Sequence, residues 1–442
     1  MTGRAEDEPL DPRVEGLAPA ATAAIHEHAQ WLSADGRRVH QLGLGRSPFP
    51  VPAHVVDALR QHAAEKDYAP ARGLHALRRA VAHYTERTAG IDRTAEDVLV
   101  GPGNKALLFL LQLAYGGELL VPTPCWGPIA PQAKLLGRTP RFVDTQVSDG
   151  WRLMPEGLDA LCRTRPPGPR MLWLSYPGNP TGATYKPDTL RALARVAQEH
   201  DLLVLSDETY GELHHKGQHV SLARYYPEGT IISSGLSKWC GAEGWRLGTM
   251  VFPERLRGLL DAMAAAMSET FTATSAPIQH AAVTAFEGGE ALDHYLLHSR
   301  RILSALGRWC ARQLRQSGIE CAQPTGGFYL FPDFSSLAEP LRAAGITTGR
   351  QLTARLLADT GIAALPGSDF GRPAEELTAR LAYVDFDGAR ALEAVAVIPL
   401  QQPLDAVFLK RHCTSVFKAT ERLVAWLERH AVADAFAGGG PG

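Results

Sequence analysis

Through the middle of this chain, short apolar runs alternate with amphipathic stretches. The run "DVLVGPGNK" (97–105) predicts a strand ending in a glycine turn, followed by a helix over "ALLFLLQLAY" (106–115). A second strand is expected in "GGELLVPTP", and a third in "RMLWLSYPGNPTG" with the helix "DTLRALARVAQEH" behind it. "DLLVLSDETY", "GTIISSGLSK" and "WRLGTMVFP" supply the fourth to sixth. Strands apolar at nearly every position are covered on both faces, and the intervening helices are the covers. The pattern therefore predicts an α/β fold, a mostly parallel sheet flanked by helices. From about residue 285 it changes to a long helix, "GEALDHYLLHSRRILSALGRWCARQLRQSG", then "GGFYLFPDF", "RLAYVDFDG" and a final helix "SVFKATERLVAWLERH". We expect residues 1–55 to form an N-terminal arm and part of a small domain. Residues 56–295 form the large domain, 296–435 a smaller α+β domain, and 436–442 a disordered tail.

Composition narrows the picture slightly. With 442 residues, 45% hydrophobic and 21% charged, the chain is long enough for two or three domains with a substantial core. A net charge of −2 gives no reason to expect a nucleic-acid or anionic-membrane partner. The polar, acidic start "MTGRAEDEPLDPRVEG" has no signal-peptide core, and no apolar run approaches the roughly 20 residues of a membrane span. Six scattered cysteines with no CxxC pair fit a reducing cytoplasm.

Chemistry is suggested where polar residues follow strand ends, the place where such sheets bind ligands. Lys238 stands among small residues in "SSGLSKWCG", with no charged neighbour before Glu243 and Arg246. A lysine amine can form a Schiff base with a carbonyl, the covalent device of pyridoxal-phosphate enzymes. That cofactor needs an acid at its ring nitrogen, donors to its ring oxygen, a flat surface and an anion site. Asp207 in "LLVLSD", Asn179 in "GNPTG" with Tyr210 in "DETYGE", and Trp126 in "PTPCWGP" answer the first three. Gly103, Asn104 and Lys105 at a helix start, with Arg246, answer the fourth. Taken singly, each also reads as an ordinary cap, turn, core aromatic or surface charge. Together and in this order they form a set.

With these residues in hand, the chain resembles the class I/II aminotransferases, fold-type-I pyridoxal-phosphate enzymes that include aspartate and aromatic aminotransferases. The matching segments run from residue 42 to 384: "LGLGRSPFPVP", "YAPARGLHALRRAVAHY", "VGPGNKALL", "PTPCWGP", "YPGNPTGATY", "SDETYGEL", "SGLSKWCGAEGWRLG", "GGFYLF", "LPGSDFG" and "RLAYV". The resemblance implies that Lys238 carries the Schiff base and shuttles the proton, that Asp207 partners the ring nitrogen, and that Asn179 and Tyr210 donate to the ring oxygen. It implies stacking by Trp126 and a phosphate cup from Arg246, Gly103, Asn104 and Lys105, with Ser237 an uncertain addition. Tyr68 matches a tyrosine that reaches the neighbouring subunit's phosphate, which implies a homodimer, and Thr274 is the expected partner hydroxyl. Arg380 matches the arginine that holds the substrate α-carboxylate, and Gly45 the small residue beside the substrate.

Departures from the family pattern are visible. Gly235 stands where many members carry a phosphate-binding serine or threonine, and "SETFTATSAPIQH" contains no arginine to read a second carboxylate. Arg46 and Lys105 are the alternatives for that role. The implied activity is transfer of an α-amino group between an L-amino acid and a 2-oxo acid. Two rivals are another pyridoxal-phosphate reaction on the same fold (β/γ-elimination or replacement, or an O2-dependent oxidation) and a non-enzymatic cofactor-sensing regulator. "HHKGQH" (214–219) lacks carboxylate or cysteine company and reads as a loop, so no metal is expected. "GLG" at 43–45 lacks the rest of a dinucleotide fingerprint.

Overall fold

A computed structural model of the chain describes residues 10–164 and 168–437. Its centre is a seven-stranded sheet: β1 (Val98–Gly101), β2 (Glu118–Thr123), β3 (Arg141–Asp144), β4 (Arg170–Ser175), β5 (Leu203–Asp207), β6 (Thr230–Gly235) and β7 (Gly248–Val251). The spatial order is β1-β7-β6-β5-β4-β2-β3. All neighbours are parallel except β7, which runs antiparallel to β1 and β6. Six strands coincide with the apolar runs of the sequence. The seventh, β3, has no such run, because it lies at the sheet edge with Arg141, Phe142 and Asp144 exposed.

Alternation along β4 shows why the runs are continuously apolar. Met171 and Trp173 pack on one face with Leu205, Ile231 and Met250, under α1 (Asn104–Ala114) and the helix Arg257–Ser268. Leu172 and Leu174 pack on the other with Val204 and with Leu190 and Leu193 of the helix Pro187–Glu199. Neither face meets water, so along this strand apolar side chains line both.

After the 27-residue helix Glu290–Gln316 comes a three-stranded antiparallel sheet in the order β9-β10-β8: β8 (Tyr329–Leu330), β9 (Leu365–Pro366) and β10 (Ala379–Ala382). The helix Thr414–Ala437 closes the described chain, and residues 438–442 of the expected tail lie outside it. The N-terminal segment joins this part of the molecule: His40–Gln41 pairs parallel with Ile362–Ala363, and Ala29 and Leu32 pack on Leu357 and Ala363. Among the described residues no helix is long and apolar enough to cross a membrane.

Candidate active site

Asp207 is the last residue of β5, aligned with Ser175 of β4 and Ser233 of β6. Gly103, Asn179 and Lys238 follow β1, β4 and β6 within a few residues, so the parallel strands deliver them to the same edge of the sheet.

Lys238 is half-buried, and its Nζ donates to the Gly45 carbonyl at 2.8 Å. Burial lowers its pKa to about 8, opposed by the Glu243 carboxylate and assisted by the Arg380 and Arg246 cations. A substantial neutral fraction therefore exists near neutrality, as a nucleophilic amine requires.

Asp207 is buried, which pushes its carboxyl above the usual range. Hydrogen bonds from Thr209 and Ser175 oppose that shift. Thr209 donates through its hydroxyl to Asp207 Oδ1 at 2.7 Å, and its backbone N–H lies 3.3 Å from the same oxygen. Asn104 in turn donates from Nδ2 to Thr209 Oγ1 at 2.6 Å. A relay thus runs from the first residue of α1 to the carboxylate at the end of β5.

Gly103 caps α1 with φ 87°, and a Cβ there would stand 2.3 Å from Arg246 Nη2. Glycine is needed on both counts: the left-handed backbone and the guanidinium laid against the loop. Free N–H groups at the start of α1 and the Arg246 cation form an anion cradle. The same packing accounts for Gly235, since a Cβ on it would lie 2.6 Å from the Leu247 carbonyl and 3.2 Å from Asn104 Oδ1. The Leu247 and Gly248 backbone closes the space that a side chain at 235 would want, with Asn104 at its margin.

Arg380, on β10, is 2% exposed. Its guanidinium lies between the rings of Tyr329 and Phe370, 4.8 and 4.9 Å from their centroids. Among the described residues its hydrogen bonds go to neutral acceptors, Asn179 Oδ1 at 3.0 Å and the Gly43 carbonyl, while Nε is buried without a partner. Asp369 acts on it only at a distance; burying a cation with no carboxylate in hydrogen-bond contact is costly, and the arrangement reads as a receptor for an incoming anion. Accepting from Arg380 through Oδ1 leaves the Asn179 amide N–H2 as the free donor. Tyr210 is buried and its hydroxyl sits 2.8 Å from that of Tyr329. Burial, with the neighbouring Tyr329, holds the Tyr210 phenol well above its ordinary pKa, so it remains a donor. Gly45 is irreplaceable on packing grounds, as a Cβ would be 2.0 Å from the Tyr329 hydroxyl.

The remaining expected residues stand as follows. Trp126 is half-buried and tilted against Trp173, ring centroids 6.4 Å apart. Ser237 is half-buried, and Lys105 and Arg46 are exposed. Tyr68 is 89% exposed, projecting from the chain. Thr274 is buried in its own chain with Oγ1 unpartnered, and no hydrogen bond ties it to the groups above. The "HHKGQH" histidines hold separate contacts: His214 Nδ1 accepts from Lys216 and Gln218 N–H groups, His215 contacts the Gly327 carbonyl, and His219 pairs with Glu208 at 2.7 Å. Burial lowers His214 and His215 to about 4.

Sequence reasoning missed Thr209, Tyr329 and Phe370. Thr209, two residues past an aspartate, carries the signal of a local side-chain turn. Tyr329 and Phe370 lie in segments already singled out, but their packing on a guanidinium depends on β8, β9 and β10 meeting.

Comparison with known proteins agrees with this geometry. The family model for "Aminotransferase class I and II" matches residues 37–387. An aspartate aminotransferase of Geobacillus stearothermophilus is 33% identical over 374 residues, covering 82% of this chain and 92% of that protein. An aspartate/prephenate aminotransferase of Thermus thermophilus is 32% identical over 367 residues, covering 82% and 91%. The solved structure of the Thermus thermophilus aspartate aminotransferase with maleate superposes with a TM-score of 0.79 at 29% identity, over 95% of this chain and 100% of that one. Enzymes of this family use pyridoxal 5′-phosphate and act on amino and oxo acids.

Proposed function

Since this chain belongs to the class I and II aminotransferase family, we propose that it transfers the α-amino group of an L-amino acid to a 2-oxo acid at the site around Lys238, with pyridoxal 5′-phosphate as cofactor. The residues fit that group. An amine with a depressed pKa, a buried carboxylate, a glycine cradle against an arginine and two donors lie at one sheet edge. When bound, the cofactor supplies a carbonyl and a ring that accepts the electron pair released at the substrate Cα.

The chain's own residues divide the remaining work. Lys238 Nζ holds the proton that leaves Cα and returns it to a different carbon, the choice that makes the reaction a transamination. Asp207, whose upward shift from burial Thr209 and Ser175 oppose, would partner the ring nitrogen. Asn179 Nδ2 and the Tyr210 hydroxyl would donate to the ring oxygen, Trp126 would supply a flat surface, and Gly103, Asn104, Lys105 and Arg246 would receive the phosphate. Arg380 binds the α-carboxylate bidentately, and the two aromatic rings keep its plane from turning. That fixed plane decides which Cα bond is aligned for cleavage. The single observation carrying the reading is Arg380, a buried cation paired only with neutral groups beside a lysine of pKa about 8.

A homodimer belongs to the same reading, supported by Tyr68, which is 89% exposed and so free to meet a neighbouring subunit. So does a cytoplasmic setting, supported by six free cysteines. The test is an absorbance spectrum of the purified protein with pyridoxal 5′-phosphate, then single amino acids, then a 2-oxo acid. Loss of the coloured form on adding one amino acid and recovery with the oxo acid is expected, and Lys238→Ala abolishes both. Pyruvate and ammonia formed without an acceptor, or consumption of O2, would overturn transamination in favour of a lyase or an oxidase.

A further inference from the structure

Resting on that reading, the structure also bears on the substrate's side chain. Glu243 opens a short 3-10 turn five residues beyond Lys238. Its Oε1 accepts from the Ser47 backbone N–H at 3.1 Å. Its Oε2 is buried and has no partner among the described residues, and the same is true of Ser47 Oγ and the Tyr295 hydroxyl. Tyr295 packs edge-on against Phe49, two residues beyond Ser47, with ring centroids 6.3 Å apart. The turn that Glu243 holds is the one whose Gly45 carbonyl receives Lys238. The Glu243 carboxylate is the leading charge opposing the burial shift of Lys238, and it helps push up the hydroxyls of Tyr295 and Tyr329.

Buried oxygens left unpaired are unfavourable unless a ligand or water completes them, and here they sit on residues tied to one loop, Glu243 through Ser47 and Tyr295 through Phe49. An ionised carboxylate accepts only, so its complement is an N–H or O–H donor, and hydroxyl oxygens accept as well. A second carboxylate arriving here would meet like charge in a partly desolvated place. We infer that Glu243, with Ser47 and Tyr295, is the subsite for the far end of the substrate side chain. It selects L-amino acids ending in a nitrogen donor (ammonium, guanidinium or carboxamide) over dicarboxylic ones.

The test uses the full-length, cofactor-loaded protein with a 2-oxo acid acceptor. Ornithine, lysine and arginine form one arm, asparagine and glutamine a second, aspartate and glutamate a third. We expect kcat/KM for one of the first two arms to exceed the third by about tenfold or more. Glu243→Gln keeps an oxygen for Ser47 but removes the charge, and should narrow that ratio about tenfold, through KM rather than kcat. A loss confined to the first arm identifies charge pairing, and a loss shared with the second identifies hydrogen bonding. Calorimetry on loaded Lys238→Ala protein, with and without Glu243→Gln, gives the same comparison as Kd with no turnover, and Tyr295→Phe provides a second variant. Preference for dicarboxylates, or ratios and Kd values unmoved in both variants, would overturn the subsite. If no amino acid is transaminated, the functional reading fails, while the calorimetry still decides the subsite on its own.

Discussion

Thr209→Val tests whether the carboxylate at the end of β5 is held by its neighbours or only placed by the strand. Valine has nearly the shape of threonine, so packing is preserved, but it cannot donate to Asp207 Oδ1 or accept from Asn104 Nδ2. A hydrogen bond to a charged acceptor contributes roughly 1.5–3 kcal/mol, and one pKa unit corresponds to about 1.4 kcal/mol. Loss of the hydroxyl should therefore raise the Asp207 pKa further, on top of the upward push from burial. A carboxylate reluctant to ionise is a poorer partner for a ring nitrogen. We expect affinity for pyridoxal 5′-phosphate, measured by titrating apoprotein, to fall about tenfold, and kcat about 10- to 100-fold, scaling with the lost interaction. The acid limb of the pH–rate profile should move upward in the same direction. Thr209→Ser restores the hydroxyl and should restore all three. A valine variant that melts like the native protein, binds cofactor within about twofold and keeps its pH profile would refute the relay.

Other expectations follow from the same geometry. Arg380→Lys keeps the charge but loses the planar fork held between Tyr329 and Phe370, so kcat/KM should fall by about 100-fold or more in a steady-state assay. Gly45→Ala places a Cβ 2.0 Å from the Tyr329 hydroxyl; displacing that ring disturbs Arg380, and we expect a rise in KM larger than the loss in melting temperature. Cofactor capture by the apoprotein should accelerate as pH rises through about 8, where Lys238 becomes neutral, and then level off. Because the folded pKa of Lys238, about 8, lies below the ordinary lysine value of 10.5, the native state binds fewer protons than the unfolded one between those values. Apoprotein stability should rise with pH across that window relative to Lys238→Met, which lacks the group. A native-minus-variant stability difference that stays flat in denaturant titrations would contradict the sign.

Most of the sheet was legible because burial on both faces writes itself into sequence. Leu172 and Leu174 serve one core while Met171 and Trp173 serve the other. β3 was not legible, since an exposed edge strand has no apolar run to betray it. Of the site, the groups that follow strand ends were readable one by one: Asp207, Asn179, Lys238 and the glycine-started helix at 103–105. What they touch was not. Gly235 looked like a departure from the family pattern, and only the fold reveals that the backbone of Leu247 and Gly248 leaves no room for a side chain there. Thr209 and the rings around Arg380 follow the same rule, because contacts between residues far apart in sequence depend on packing rather than on local pattern.

The hydrogen bonds of Arg380 have a consequence for how the molecule comes into being. They join it to Asn179 and Gly43 across sequence separations of 201 and 337 residues. During synthesis the large sheet can form once residue 251 has emerged, yet the carboxylate receptor cannot exist until β10 has been made and has folded back on the amino-terminal segment. Such distant pairings are late events in folding. A chain truncated before residue 380 could keep much of its sheet and the lysine, and would still have nothing with which to hold an amino acid.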